Sequence, residues 1–332
     1  ALERLKKSVE DRDAGVATAA YEAWVKLAGK EKAEPHLAAL NTTHPALREK
    51  AAKASVHAPA EAMRSALLKR VQDEHLDVAF AALEALDKLI PNENGPLLAG
   101  IAASALPVRV RASELLAPRG AEDIIEPMRG LITDKDLERM YPPAILVPLR
   151  IRASRALATL GSRRLLGFYA TTLLPHEVTD LQEQGARGLA TASRRGDEGA
   201  LLDALGHSLV AARSWAADGL ARLGDVRALP VLTGNLRHEH LPIRLGAILS
   251  FAALGSEGDG GLLHGLEDRA REVIEAVTTA VKRDFPERYV VIAAYADSAR
   301  MGTIPPFAIS SLVADAGADV RPSSGHMALH VA

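Results

Sequence analysis

RVRASELLAPRG at residues 109–120 and RIRASRALATLG at residues 150–161 are two copies of one pattern: arginine, a small residue three places on, leucine four further, and glycine eleven places from the start. RSWAADGLARLG (213–224) and RLGAILSFAALG (244–255) repeat it. Extending the register gives starts at Ala17, Arg48, Ala79, Arg109, Arg150, Gln182, Arg213, Arg244 and, more weakly, Glu275, spaced by 31, 31, 30, 41, 32, 31, 31 and 31 residues. A fixed period in this range marks a stacked array in which each unit buries its face on its neighbours.

Three residues past each start stand Ala20, Ala51, Ala82, Ala112, Ala153, Gly185, Ala216 and Ala247, where helices can approach closely. Four residues later come Trp24, Ser55, Leu86, Leu116, Leu157, Leu189, Leu220 and Phe251. The i, i+4 relation puts both positions on one helical face, which is core. The glycine suits a left-handed helix stop, and Asp225 or Asp123 then stands near the start of a second helix. Stripes such as Leu229, Leu232, Leu236 and Ile125, Met128, Leu131 give that second helix its own buried face. Each unit is expected to be two antiparallel helices.

The pattern resembles the HEAT-like repeat family, in the short form also found in phycobilin lyases and many bacterial scaffold proteins. The resemblance covers roughly residues 13–290, most closely Arg213 to Gly255. It implies an all-α fold, an α-solenoid (α/α superhelix) of about nine HEAT-like hairpins, and it leaves function open because one fold hosts many functions. Ala17 and Ala79 depart from it by replacing the arginine, and Pro59 by replacing the glycine. The expected organisation is one continuous array over 1–300 with an insertion loop near 134–147, followed by a C-terminal cap and tail over 301–332. GTIPPFAISSLVADAGADV (302–320) reads as a Pro-started capping helix and RPSSGHMALHVA (321–332) as a tail.

Composition narrows the function classes. Hydrophobic residues are 48% and aromatics only 4%, so Ala, Leu, Val and Ile must fill thin helical layers. Forty basic against forty-two acidic residues leave a net charge of −2, without the basic footprint of a protein living on phosphate backbones. With no cysteine, disulfides, thiol nucleophiles and thiolate metal sites are excluded. No apolar run reaches the length of a membrane span, and ALERLKKSVEDRD lacks a signal peptide's apolar core. Cytoplasm is the expected compartment. The chain begins without methionine, so either its first residue was removed or it is a segment of a longer protein.

Five starts are arginine (Arg48, Arg109, Arg150, Arg213, Arg244), which reads first as a structural ladder pairing with carboxylates and carbonyls of neighbouring units. Two residues past the starts come Lys50, Arg111, Arg152, Gln184 and Trp215, a mostly polar and therefore exposed row. Tryptophan beside guanidinium groups has the composition of a binding hot spot. The plainer reading of Trp215, a ring laid on the neighbouring turn, is the favoured one; Trp24 is core. His176, His207 and His238 share one register, and His44, His75 and His240 another, all in turns between units. Packed helices lie roughly 10 Å apart whereas a zinc–nitrogen bond spans about 2 Å, so these are read as turn residues and not a metal stripe.

Catalytic motifs are missing: there is no GxSxG, P-loop or HExxH, and the Gly258-Asp259-Gly260-Gly261 cluster lacks the strand and spacing of a dinucleotide loop. Neither catalytic residues, cofactor nor metal is nominated. Glu84, Asp87 and Glu114 read as solvated helix-face charges.

The leading expectation is a non-catalytic protein-interaction scaffold whose second helices line a pre-formed surface. Its contact residues would include Trp215, Arg111, Arg152, Arg64, Arg129, Tyr169, Asn235, Arg237 and His264, with Tyr141 at the rim. A nucleic-acid protein similar to HEAT-like alkylpurine DNA glycosylases ranks second. Balanced charge and two tryptophans fit its phosphate-lined groove poorly, and Trp215 with Asp218 is the one aromatic–carboxylate pair to test there. A phycobilin-lyase-like tetrapyrrole groove ranks third, weakened by the scarcity of Tyr and Trp.

Overall fold

The structure, a computed structural model, describes residues 2–266, 268–284, 318–323 and 326–331. The chain divides into two compact units, Ala1–Ser162 and Arg163–Ala332. Both are built from short helices whose buried faces carry small and aliphatic side chains, the expected α-solenoid architecture.

In the first unit, α1 (Leu2–Ser8) precedes four hairpins: α2 (Ala14–Ala28) with α3 (Ala33–Leu40), α4 (Pro45–Ala54) with α5 (Ala60–Arg70), α6 (Leu76–Leu89) with α7 (Gly95–Ile101), and α8 (Leu106–Leu116) with α9 (Ile125–Thr133). The short α10 (Asp136–Met140) and the long α11 (Pro143–Leu160) complete it. The second unit opens with α12 (Leu166–Phe168), which runs into a π turn at Tyr169–Leu173. Three hairpins follow: α13 (Thr179–Ala192) with α14 (Glu198–Leu205), α15 (Val210–Arg222) with α16 (Leu229–Asn235), and α17 (Leu241–Ala253) with α18 (Asp259–Gly265). Last among the described helices is α19 (Arg271–Asp284).

The sequence register falls three residues inside the first helix of its hairpin in α2, α4, α6, α8, α13, α15 and α17. The small positions Ala51, Ala82, Ala112, Ala153 and Ala216 are fully buried, as are Leu86, Leu116, Leu157, Leu189 and Leu220 four residues on. Gly120, Gly161, Gly224 and Gly255 take φ of 70°, 61°, 79° and 66°, the left-handed stop that the eleventh-residue glycine implied. The Asp225 carboxylate accepts the Arg227 backbone N–H at 3.0 Å, opening the turn into α16.

In four places the structure departs from the sequence reading. The ninth start is Ile274 and not Glu275: α19 begins at Arg271, Val273, Ile274 and Val277 are buried, and Glu275 is exposed. The insertion expected as a loop is helical, supplying α10 and the extra first turn of α11. Arg150 holds it by donating to the Glu138 carboxylate and the Asp134 carbonyl, each at 2.7 Å. The terminal residues expected as a tail form an antiparallel pair, β1 (Ala318–Ser323) with β2 (His326–Val331), registered Ala318 to Val331. Apolar Met327, Leu329 and Val331 recur there at the strand period of two. Most of the expected capping helix lies outside the described residues.

The fourth departure is Tyr169, expected on an exposed face and found fully buried. Its ring fills the place where Gly188 of α13 has no side chain; a Cβ there would meet ring carbons at 2.4–2.6 Å. The Tyr169 carbonyl accepts the Leu174 N–H at 2.9 Å, which closes the π turn and sets the ring inward. Burial pushes its hydroxyl pKa well above the ordinary tyrosine value. A second buried tyrosine, Tyr21, lies 2.9 Å from His36 Nδ1, while His36 Nε2 lies 2.9 Å from the Lys30 carbonyl. A carbonyl can only accept, so Nε2 carries the proton and the Tyr21 hydroxyl donates to Nδ1. Burial, helped by the charge of Glu22, pushes Tyr21 up to about 12.

Gly188→Ala is therefore expected to destabilise the fold by about 1–3 kcal/mol through overpacking. Gly130→Ala, on an open face of α9 where a Cβ meets nothing within 4 Å, should stabilise by about 0.5–1 kcal/mol. Urea denaturation of the two variants checks the contrast.

Candidate functional site: an inter-repeat ladder and a groove

Two rows of side chains join successive first helices. The first row is formed by five of the start residues, which reach back six residues to a carbonyl in the turn after the preceding helix. Arg48 donates to Thr42 O at 3.1 Å, Arg109 to Ala103 O at 2.5 Å, Gln182 to His176 O at 2.6 Å, Arg213 to His207 O at 2.7 Å and Arg244 to His238 O at 2.9 Å. These turn carbonyls have no backbone donor, so the guanidinium, or the Gln182 amide, satisfies an otherwise unpaired acceptor. Arg48 also forks onto Asp73 at 2.8 and 2.9 Å, and Arg244 onto Asp268 at 2.7 and 3.4 Å. Burial alone would raise the Asp73 carboxyl; hydrogen bonds from Arg48, the His75 N–H and Arg70 outweigh it and hold the group below the usual carboxylate range. The periodic histidines serve the same turns. The Nδ1 atoms of His176, His207 and His238 accept the N–H of Val178, Leu209 and His240 at 3.0–3.1 Å. Among the described residues no group of three His, Asp or Glu is placed to hold a metal ion.

The second row links the residue two past one start to the residue five past the start before it. Lys50 pairs with Glu22, Arg111 with Glu84 at 2.7 Å, and Arg152 with Glu114 at 2.7 and 2.8 Å. Arg111 also reaches Glu114 on its own helix at 3.2 Å. Glu84 and Glu114, expected as solvated charges, are thus members of this row, and Asp87, expected likewise, pairs outside it with Arg119 of the next repeat. Burial would raise Glu114, but Arg152 and Arg111 hold it below the ordinary range. Arg111 and Arg152, expected as free contact residues, spend their charge within the protein.

In the second unit this row changes chemistry. Arg187, five past its start, lies over the Trp215 ring at 5.4 Å from the centroid, and the indole N–H donates to Glu183 at 3.4 Å. A cation–π contact stands where the earlier units have an ion pair. Trp215 is half-buried, laid on α13 and not free in solvent. One repeat on, the residue two past the start is Gly246, with no side chain at all. A groove of about 440 Å³ opens there, walled by Trp215, Leu232, Pro242, Ile243 and Leu249, with Glu183, Asp218, Asn235 and Ser250 as its polar lining. Leu249 is 63% exposed. Asn235, expected to be exposed, is buried in the wall because its amide donates to Ser214 Oγ at 3.0 Å.

Of the other expected contact residues, Arg237 and His264 are exposed and line a second, open groove of about 330 Å³ with His238, Arg244, Asp268 and Arg269. Arg129 is exposed and paired with Glu126 at 3.1 Å, Arg64 pairs with Glu93, and Tyr141 is half-buried at the end of α10. The structure brings together Trp215, Asp218 and Asn235 and removes Tyr169 from the surface. Gly246, Leu249 and Ser250 were missed by sequence reasoning. The signal was available, since Gly246 follows Arg111, Arg152, Gln184 and Trp215 in that row and is the one position without a side chain.

Repeat and geometry define an α-solenoid of short helical hairpins of the HEAT-like kind. A family model described as 4-HFC-P synthase matches residues 260–321, a minority of the chain. No curated protein matches the sequence. Among solved structures the chain is similar to one from the complex of CpcE and CpcF of phycocyanin lyase from Nostoc sp. PCC7120, at 16% identity over 71% of this chain and 94% of that one, TM-score 0.47. It is similar to Kap95p in a structure of its binding to RanGDP, at 11% identity over 86% of this chain and 44% of that one, TM-score 0.47. Human deoxyhypusine hydroxylase matches at 14% identity over 85% and 94%, TM-score 0.32. Among the described residues no helix is long and apolar enough to cross a membrane.

The lowered Glu114 pKa fixes a sign. Its folded value lies below the unfolded one, so its stabilisation is complete above the ordinary carboxylate range and is lost as pH falls toward the folded value. Urea stability should accordingly hold from pH 7 to about pH 5 and fall toward pH 3. In Glu114→Gln, stability at pH 7 should drop by about 1 kcal/mol or less, as for part-exposed pairs, and the acid-side loss should shrink.

Proposed function

We propose that this chain is a protein-interaction scaffold and that the Trp215 groove is where it takes hold of its partner. The observation that carries the reading is the groove itself: a half-buried tryptophan, a proline and branched aliphatic side chains around open space, on a rigid helical frame. Such pockets are where interface energy concentrates, and pre-formed ones spare the ordering cost of binding. The surrounding surface supports the same reading. Most charges along the first helices are internally paired, so they present a neutral, mixed face that suits a protein better than a phosphate backbone. The groove's lining holds two carboxylates and no cation, which disfavours a nucleic acid there.

The test is capture from native lysate at physiological salt with nuclease present, comparing wild type with Trp215→Ala and Leu249→Asp, followed by affinity measurement with each purified protein recovered. Each variant should bind a recovered partner at least tenfold more weakly while keeping the wild-type helical signal. Equal affinity in all three, or recovery of nucleic acid alone when nuclease is omitted, would overturn the reading.

A further inference from the structure

Resting on the scaffold reading of the groove, the inference concerns what the groove recognises. We propose that it is the seat of a basic side chain, an arginine or lysine presented by an extended partner segment with apolar neighbours.

The reasoning starts from the repeat. Wherever the residue five past a start is a carboxylate in the first unit, the next repeat supplies a cation two past its own start: Lys50 to Glu22, Arg111 to Glu84, Arg152 to Glu114. Where the second repeat has Lys53 instead, the third has Ala81, and Lys53 turns to Glu49 on its own helix at 2.5 Å. The rule is that a carboxylate in this row faces a cation across the gap between first helices. Asp218 is a carboxylate in this row, and the residue facing it is Gly246.

Glu114 shows how much charge such a carboxylate accommodates: it takes Arg111 from its own helix and Arg152 from the next. Asp218 has the first kind of partner, Arg222 at 2.7 Å on α15, and a neutral donor, Ser250 Oγ at 2.9 Å on α17. The second cation is missing. Its place is the groove, because Gly246 carries nothing to fill it and a Cβ there would meet no atom within 4 Å. Trp215 forms one wall, and an aromatic face attracts guanidinium and ammonium groups. The Glu183 carboxylate adds a second negative charge. Pro242, Ile243 and exposed Leu249 offer apolar surface on which the neighbours of the basic residue would lie, as the stems of such side chains commonly do.

The test uses two bead-bound pools of N-acetylated, C-amidated pentapeptides, one with arginine at the centre of four randomised positions and one with citrulline there, which keeps the shape and removes the charge. The protein should be retained on the arginine pool at about 150 mM salt and at least fivefold less on the citrulline pool. Asp218→Asn should abolish the difference, whereas Glu239→Gln, which removes an equal charge at a site 82% exposed and outside the groove, should leave it unchanged. Gly246→Arg should abolish retention and raise the melting temperature above that of Gly246→Gln, which controls for helix propensity. Equal retention on both pools, or retention insensitive to Asp218→Asn, would overturn the basic-residue proposal. A partner captured from lysate that is lost in Leu249→Asp but binds Gly246→Arg and Asp218→Asn as it binds wild type would also overturn it while leaving the scaffold reading standing.

Discussion

Five of the junctions between successive hairpins are tied by a side chain at the start of one helix that satisfies a carbonyl of the turn before it. The turn after each short helix leaves a carbonyl without a backbone donor, and an unpaired carbonyl shielded from water is costly. At five repeat starts a side chain reaches back six residues to such a carbonyl, Arg48, Arg109, Gln182, Arg213 and Arg244; Arg150 reaches the Asp134 and Leu131 carbonyls instead, and Ala17 and Ala79 carry no polar side chain. A planar guanidinium can serve such a carbonyl and a carboxylate together, as Arg48 does with Thr42 and Asp73. Glutamine at 182 serves the carbonyl alone.

Between successive first helices the residue two past one start faces the residue five past the start before it. Their chemistry then determines the surface between repeats. Ion pairs close three of the gaps in the first unit, a cation–π contact closes the one at Trp215, and Gly246 leaves its own open. The groove is thus a defect in a periodic structure, and what it should attract follows from what the period elsewhere supplies.

The repeat, the buried small residues and the helix-stopping glycines were legible in the sequence because each is a local consequence of helix geometry recurring at a fixed interval. The Asn235 and Tyr169 positions were not, because their burial is decided by partners distant in sequence: Ser214 for one, the empty side of Gly188 for the other. The 134–147 insertion reads as a loop because the step of 41 residues places it between two repeats, whereas its short helix is held by Arg150 from outside the segment. The register of the ninth repeat slipped by one because Ile274 stands where arginine would have marked it. Trp215 was singled out for the right neighbourhood, but the feature that makes a site of it is the absent side chain of Gly246, which a search for chemically rich residues passes over.

The most direct measurement of the central claim, that the groove is a missing rung of the ladder, is a double-mutant cycle between Gly246→Arg and Asp218→Asn followed by urea denaturation. If the rung is merely absent, arginine at 246 should couple favourably to Asp218 by about 0.5–1 kcal/mol, as exposed or part-exposed ion pairs do. A coupling of zero would mean that the two positions do not face one another as the ladder requires, and the account of the groove would fall with it.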